Sequence, residues 1–147
     1  MVWESPGVSS RTLAAATVLA ALSCRVDEAS TKAPEADFFG PSLRFEGEWF
    51  GEVDGRPGVL RIERLGRTRL RGVYESDDRS RVLVLLIELA PSTDGFANVA
   101  PFTWQDGRGG RGRGWLRINR ENTALDGAYG FDRRVDGAGA WLFVRVE

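Results

Sequence analysis

From residue 43 onward the chain consists of short runs in which apolar and polar residues alternate, broken by glycine and aspartate. A period of two marks a strand with one face toward a core. Eight strands are predicted, at about 43–54, 59–65, 68–76, 80–89, 98–105, 112–119, 123–131 and 138–146. In the second, Leu60 and Ile62 share one face and Arg61 and Glu63 the other. In the third, Leu70, Gly72 and Tyr74 are in phase. The fourth is apolar on both faces, which predicts cover on both sides. No stretch carries a helical period over three turns. Short strands at this spacing, with Gly- and Asp-rich turns, predict an all-β fold.

The order of motifs repeats. Trp49, then Leu60-Arg61-Ile62, then Leu70-x-Gly72-x-Tyr74 is matched by Trp104, Leu116-Arg117-Ile118 and Leu125-x-Gly127-x-Tyr129. Two four-stranded pseudo-repeats in series predict an eight-stranded antiparallel up-and-down barrel over residues 43–147. Full closure removes the edge strands that invite aggregation. In such a barrel Trp49 and Trp104 are expected at matching places, and Gly72 is expected to behave like Gly127.

The pattern before residue 43 is different. Residues 25–42 are rich in Ala, Glu, Asp, Ser and Pro without a sustained period, as expected of a flexible tether. Two adjacent exposed phenylalanines are costly, so Phe38 and Phe39 are expected to pack back on the domain. Upstream, Arg11 precedes an uncharged run from Thr12 to Ser23, followed directly by Cys24. Positive start, short apolar core, small residue and cleavage point make an export signal over 1–23. The run is too short for a transmembrane helix, which needs about 20 apolar residues.

Ala21-Leu22-Ser23-Cys24 resembles the lipobox of bacterial lipoproteins, with leucine one place later than usual. The resemblance implies that Cys24 is acylated and becomes the first mature residue, anchoring the protein to a membrane. Arg25 stands where an aspartate signals inner-membrane retention, so the resemblance implies an exported, lipid-anchored protein of the outer membrane or periplasm. The alternative is cleavage elsewhere, leaving Cys24 as an unpaired thiol; an odd cysteine in an exported chain favours lipidation.

Composition narrows the chemistry. The chain has 20 Lys+Arg and 21 Asp+Glu, a net charge of −1, which makes no electrostatic case for nucleic acid. Histidine is absent and cysteine single. The usual zinc ligands and the Ser-His and Cys-His nucleophile pairs are therefore missing, and neither metal nor cofactor is expected. The acid pairs Glu46 with Glu48 and Glu52 with Asp54 read as solvated strand ends, and catalysis is not expected. The run Asp106 to Gly114 reads as a hairpin whose glycines permit positive φ, and not as a nucleic-acid tail or a phosphate loop.

The aromatic set Trp49, Tyr74, Trp104, Trp115, Tyr129 and Trp141 has two readings. The rings fill a core, or several line a cup for a small ligand. On the cup reading the binding residues are Trp49, Tyr74, Ser76, Trp104 and Trp141, suited to an apolar or planar ligand.

Several segments resemble the avidin family of β-barrels: Gly47-Glu48-Trp49-Phe50, Leu70-x-Gly72-x-Tyr74-Glu75-Ser76, Ala90 to Gly95, and Trp141-Leu142. The resemblance implies a barrel and is matched at Tyr74 and Ser76. It does not extend to biotin, because Gly51 and Gly55 stand where that family has ligand-binding asparagine and serine, and its last strand, with a ligand-binding aspartate, has no counterpart. Lipocalin-like barrels are an equal architectural comparison. The sequence thus predicts a lipid-anchored cell-envelope barrel with a non-enzymatic binding or structural role. The alternative is a periplasmic inhibitor of a secreted hydrolase, acting through loops such as 105–114.

Overall fold

A computed structural model describes residues 30–40, 43–93 and 95–146. The export signal and Cys24 lie outside the described residues. Among the described residues the structure is all-β, with strands β1 (Gly47–Val53), β2 (Arg56–Arg64), β3 (Arg69–Ser76), β4 (Val82–Glu88), β5 (Pro91–Ser92), β6 (Gly95–Phe96), β7 (Val99–Gln105), β8 (Arg111–Ile118), β9 (Ala124–Phe131) and β10 (Gly139–Arg145).

Eight of these strands close into an antiparallel barrel in the order β1-β10-β9-β8-β7-β4-β3-β2. The eight strands expected from the alternation are these eight. The first begins at Gly47 and not at 43, and the second begins at Arg56 because the turn before it has only two residues. That turn is Asp54-Gly55, with φ of 53° and 73°. Positive φ at both central residues is the turn geometry that matches strand twist, and Asp-Gly is among its preferred sequences. The miniature β5–β6 hairpin was not foreseen; two-residue strands leave no readable period.

Alternation sets the walls. Leu60, Leu70, Leu83, Leu85, Leu116, Leu125 and Phe143 are fully buried inside. Burying each such side chain contributes roughly 1.5–3 kcal/mol. The fourth strand departs from expectation. Leu83, Leu85 and Ile87 face inward, but Val82 and Leu86 on its outer face are 41% and 52% exposed. No layer stacks on an up-and-down barrel as helices do on a parallel sheet, so that face is only partly covered.

Antiparallel succession places four turns at one end of the barrel: β1–β2, β3–β4, β7–β8 and β9–β10. This is termed the turn end. The chain enters β1 at the opposite end. Residues 30–40, read from sequence as tether, run along the barrel between the two. At the turn end the Ser30 carbonyl accepts from Val135 N–H at 2.8 Å. At the other, Asp37 and Asn98 exchange two bonds: Asp37 N–H donates to Asn98 Oδ1 at 2.7 Å, and Asn98 N–H donates to the Asp37 carbonyl at 2.9 Å. Of the two phenylalanines, Phe39 packs against the core and lies 4.7 Å from the Arg120 guanidinium, whereas Phe38 stays exposed.

Candidate functional site

The five residues singled out as a cup all lie on barrel strands and are buried. They do not form one group. Trp141 is the centre of a ring cluster, with centroids 5.5 Å from Phe102 and 5.8 Å from each of Tyr74, Tyr129 and Phe143. Trp104 joins it through Tyr129 at 5.4 Å. Most of these contacts are edge-to-face, the geometry that aromatic quadrupoles prefer in cores. Trp49 sits apart at the opposite end, where its Nε1–H donates to the Phe45 carbonyl at 2.9 Å. Trp104 Nε1–H donates to the Gly130 carbonyl at 3.0 Å, at the turn end. The expected pairing of Trp49 with Trp104 is therefore corrected. Trp49 is the third residue of β1 and Trp104 the sixth of β7, so the rings fall at different depths. Trp115, the sixth aromatic of the set, points outward under the Arg117 guanidinium.

One interior polar group has no protein partner. Trp141 is 1% exposed, and its Nε1–H meets no acceptor among the described residues. Leaving a buried donor unpaired costs about 1–3 kcal/mol.

The two tyrosines of the repeat converge on the β1–β2 turn. Tyr74 OH donates to the Arg56 carbonyl at 2.7 Å. Tyr129 OH donates to the Asp54 carboxylate. Asp54 also accepts from Ala140 N–H at 3.0 Å and lies 3.4 Å from Arg81 Nη1. A Cβ on Gly139 would stand 1.6 Å from Asp54 Oδ1, so only glycine lets the carboxylate reach this position. Burial first, and then the bond to Asp54, push the Tyr129 pKa up from 10.0. Burial likewise raises that of Tyr74.

Ser76, expected to serve a ligand, serves its own turn. Its hydroxyl donates to Asp78 Oδ1 at 2.7 Å and accepts from Arg81 N–H at 3.0 Å. Hydrogen bonds from Ser80 and Ser76 lower the Asp78 pKa to about 2. The run at 106–110 is a short hairpin turn closed by Asp106, whose Oδ1 accepts from Arg108 and Gly110 N–H. Of the four acids expected as solvated strand ends, two are paired outside the barrel, Glu48 with Arg61 at 3.4 Å and Glu46 with Arg64, and Asp54 is instead held at the β1–β2 turn. Among the described residues no three His, Cys, Asp or Glu side chains gather as a metal site.

Sequence reasoning missed the outer wall. A groove of about 540 Å³ runs beside Thr31 and Ala33 over the exposed face of β4. Its apolar floor includes Leu65, Leu86, Pro101 and Val135, and Arg69 and Arg113 lie along it. Arg69 is paired with Glu88 at 3.0 Å, whereas Arg113 has no carboxylate partner among the described residues. The double-sided apolar pattern of 80–89 was the one available signal for this groove. No protein-family model, curated protein or solved structure matches the chain.

Proposed function

We propose that the chain is an exported lipoprotein, anchored through Cys24 at the outer membrane, with a non-enzymatic binding role carried by the outside of its barrel. The anchor rests on the sequence of residues 11–24; the observation that carries the placement of binding on the outside is the Trp141-centred cluster, which occupies the interior where a ligand cup would open. The outer groove then offers the apolar area that the interior does not. An apolar floor beside the unpaired Arg113 suits an apolar ligand or peptide carrying an acidic group.

The anchor is tested by the mass of the mature chain and by fractionation. Wild type is expected to carry acyl mass on Cys24 and to pellet with membranes; Cys24→Ser is expected to lose both. Equal processing and pelleting of the variant defeats the anchor. The groove is tested by mass spectrometry of ligands or peptides retained by the native protein, with Leu86→Glu losing them. Retention unchanged in Leu86→Glu and lost in an interior variant defeats the groove.

A second reading, a small ligand held inside the barrel, is favoured by the unpaired Trp141 Nε1–H alone. Inhibition of a secreted hydrolase through the loops uses the same filled barrel. It is distinguished by a protein, and not a small molecule, being retained at the turn end.

A further inference from the structure

Four arginines from three separate hairpins meet at the turn end. Arg56 opens β2, Arg79 and Arg81 belong to the β3–β4 turn, and Arg108 lies in the β7–β8 turn. With Ser80, they line a cleft of about 360 Å³. The Arg56 Nη1 atom lies 3.5 Å from Ser80 Oγ.

The neighbouring carboxylates are committed to the protein itself. Asp54 accepts from Ala140, Tyr129 and Arg81. Asp78 accepts from Ser76 and Ser80. Asp106, which lines the cleft, accepts from two N–H groups of its own turn. Glu75 stands 3.8 Å from the exposed Arg79. Neither Arg56 nor Arg108 forms an ion pair among the described residues, and Arg56 is within electrostatic reach of Asp78. Their guanidinium donors are planar, always charged and weakly hydrated, the geometry that suits a tetrahedral oxyanion.

We propose that this cleft binds a phosphate-type oxyanion, held by Arg56 and Arg108, with the exposed Arg79 at its rim. A location beside lipid rests on the lipoprotein reading above; the anion site itself does not. Ser30 is bonded to the β9–β10 turn at the same end, and Cys24 lies six positions before it. Six extended residues span at most about 20 Å. An acyl anchor at Cys24 therefore holds the turn end close to lipid headgroups, whose phosphodiesters present the required oxyanion. Inorganic phosphate or a soluble phosphoester presents the same chemistry from solution.

The test uses the full mature chain in dodecyl maltoside micelles, which carry no phosphate, titrated with inorganic phosphate at constant ionic strength. Saturable shifts of the Ser80 and Arg81 amide resonances are expected, with chloride giving none. Arg56→Gln with Arg108→Gln is expected to weaken phosphate by at least about tenfold, the loss of two charge-assisted bonds discounted for solvent screening at an open cleft. Its melting temperature should hold, since neither residue forms an ion pair. In nanodiscs of phosphatidylcholine, which present phosphodiesters without net surface charge, weaker apparent binding of phosphate assigns the cleft to headgroups. Unchanged binding assigns it to a soluble phosphate and overturns the headgroup source. No saturable shift in either setting, or equal shifts in the double variant, overturns the site. The mass of the mature chain reads the anchor separately: an unacylated chain that still binds phosphate defeats the anchor and leaves the cleft.

Discussion

The guanidinium of Arg145 lies 4.1 Å from the centre of the Trp49 ring. The two residues are register partners where β10 closes onto β1. The same guanidinium donates to the Asn122 carbonyl at 2.7 Å, to the Glu46 carbonyl at 2.8 Å, and to the Arg44 carbonyl. The last residue of the last strand thus fastens the segment that enters the first.

Arg145→Met keeps much of the apolar stem and loses the donors. Hydrogen bonds from charged groups contribute about 1.5–3 kcal/mol each when well formed, and this guanidinium is partly solvated, so a total loss of about 2–4 kcal/mol is expected. Arg145→Lys should recover only a fraction, because an ammonium cannot span three carbonyls and a ring face. Urea unfolding measures both. A loss below about 0.5 kcal/mol, the usual range for surface substitutions, would show that closure does not depend on this contact.

The Tyr129–Asp54 bond predicts an alkaline limit. The Tyr129 pKa is raised above 10.0 in the folded protein, by burial and then by Asp54. Above pH 10 the unfolded chain releases this proton while the folded one retains it. The stabilisation is complete below pH 10 and declines as pH rises through the folded pKa. Melting temperature should fall above pH 10, and less steeply in Tyr129→Phe than in wild type. Identical slopes would exclude Tyr129 as a source.

Gly72 and Gly127 hold the same place in the repeat but not in space. A Cβ on Gly72 would come no closer than 3.3 Å to the Leu60 and Leu85 side chains, which can give way. On Gly127 it would lie 2.2 Å from the Trp115 carbonyl oxygen, which belongs to the adjoining strand and cannot. Gly72→Ala should cost about 1 kcal/mol or less, while Gly127→Ala should cost several-fold more, in the range of overpacked cores. Equal costs in thermal unfolding would restore the equivalence that the sequence repeat implies.

Trp141 separates core from cup. Truncation to alanine should cost about 3–5 kcal/mol as a large cavity opens among the rings. Trp141→Phe also removes the unpaired donor, whose burial costs about 1–3 kcal/mol, so its net loss should stay below about 2 kcal/mol. A Trp141→Phe protein as unstable as Trp141→Ala would mean that the indole N–H has a partner.

Alternation alone put Leu60 with Ile62 and Leu70 with Tyr74 on one face of their strands, and those faces line the interior. Those readings succeed because strand period is a local property of a few neighbouring residues. Depth along the barrel is not local. Trp49 and Trp104 match in motif order yet lie at opposite ends, because strand register is set by pairing partners that motif order does not specify. Ser76 looked available for a ligand until the β3–β4 turn brought Asp78 and Arg81 to it. The convergence of Tyr74 and Tyr129 on one turn, the clamping of residues 30–37 and the gathering of Arg56, Arg79, Arg81 and Arg108 were decided by the tertiary structure. Antiparallel closure brings alternate turns to one end of the barrel, and residues 52 positions apart become neighbours only after every strand between them has paired.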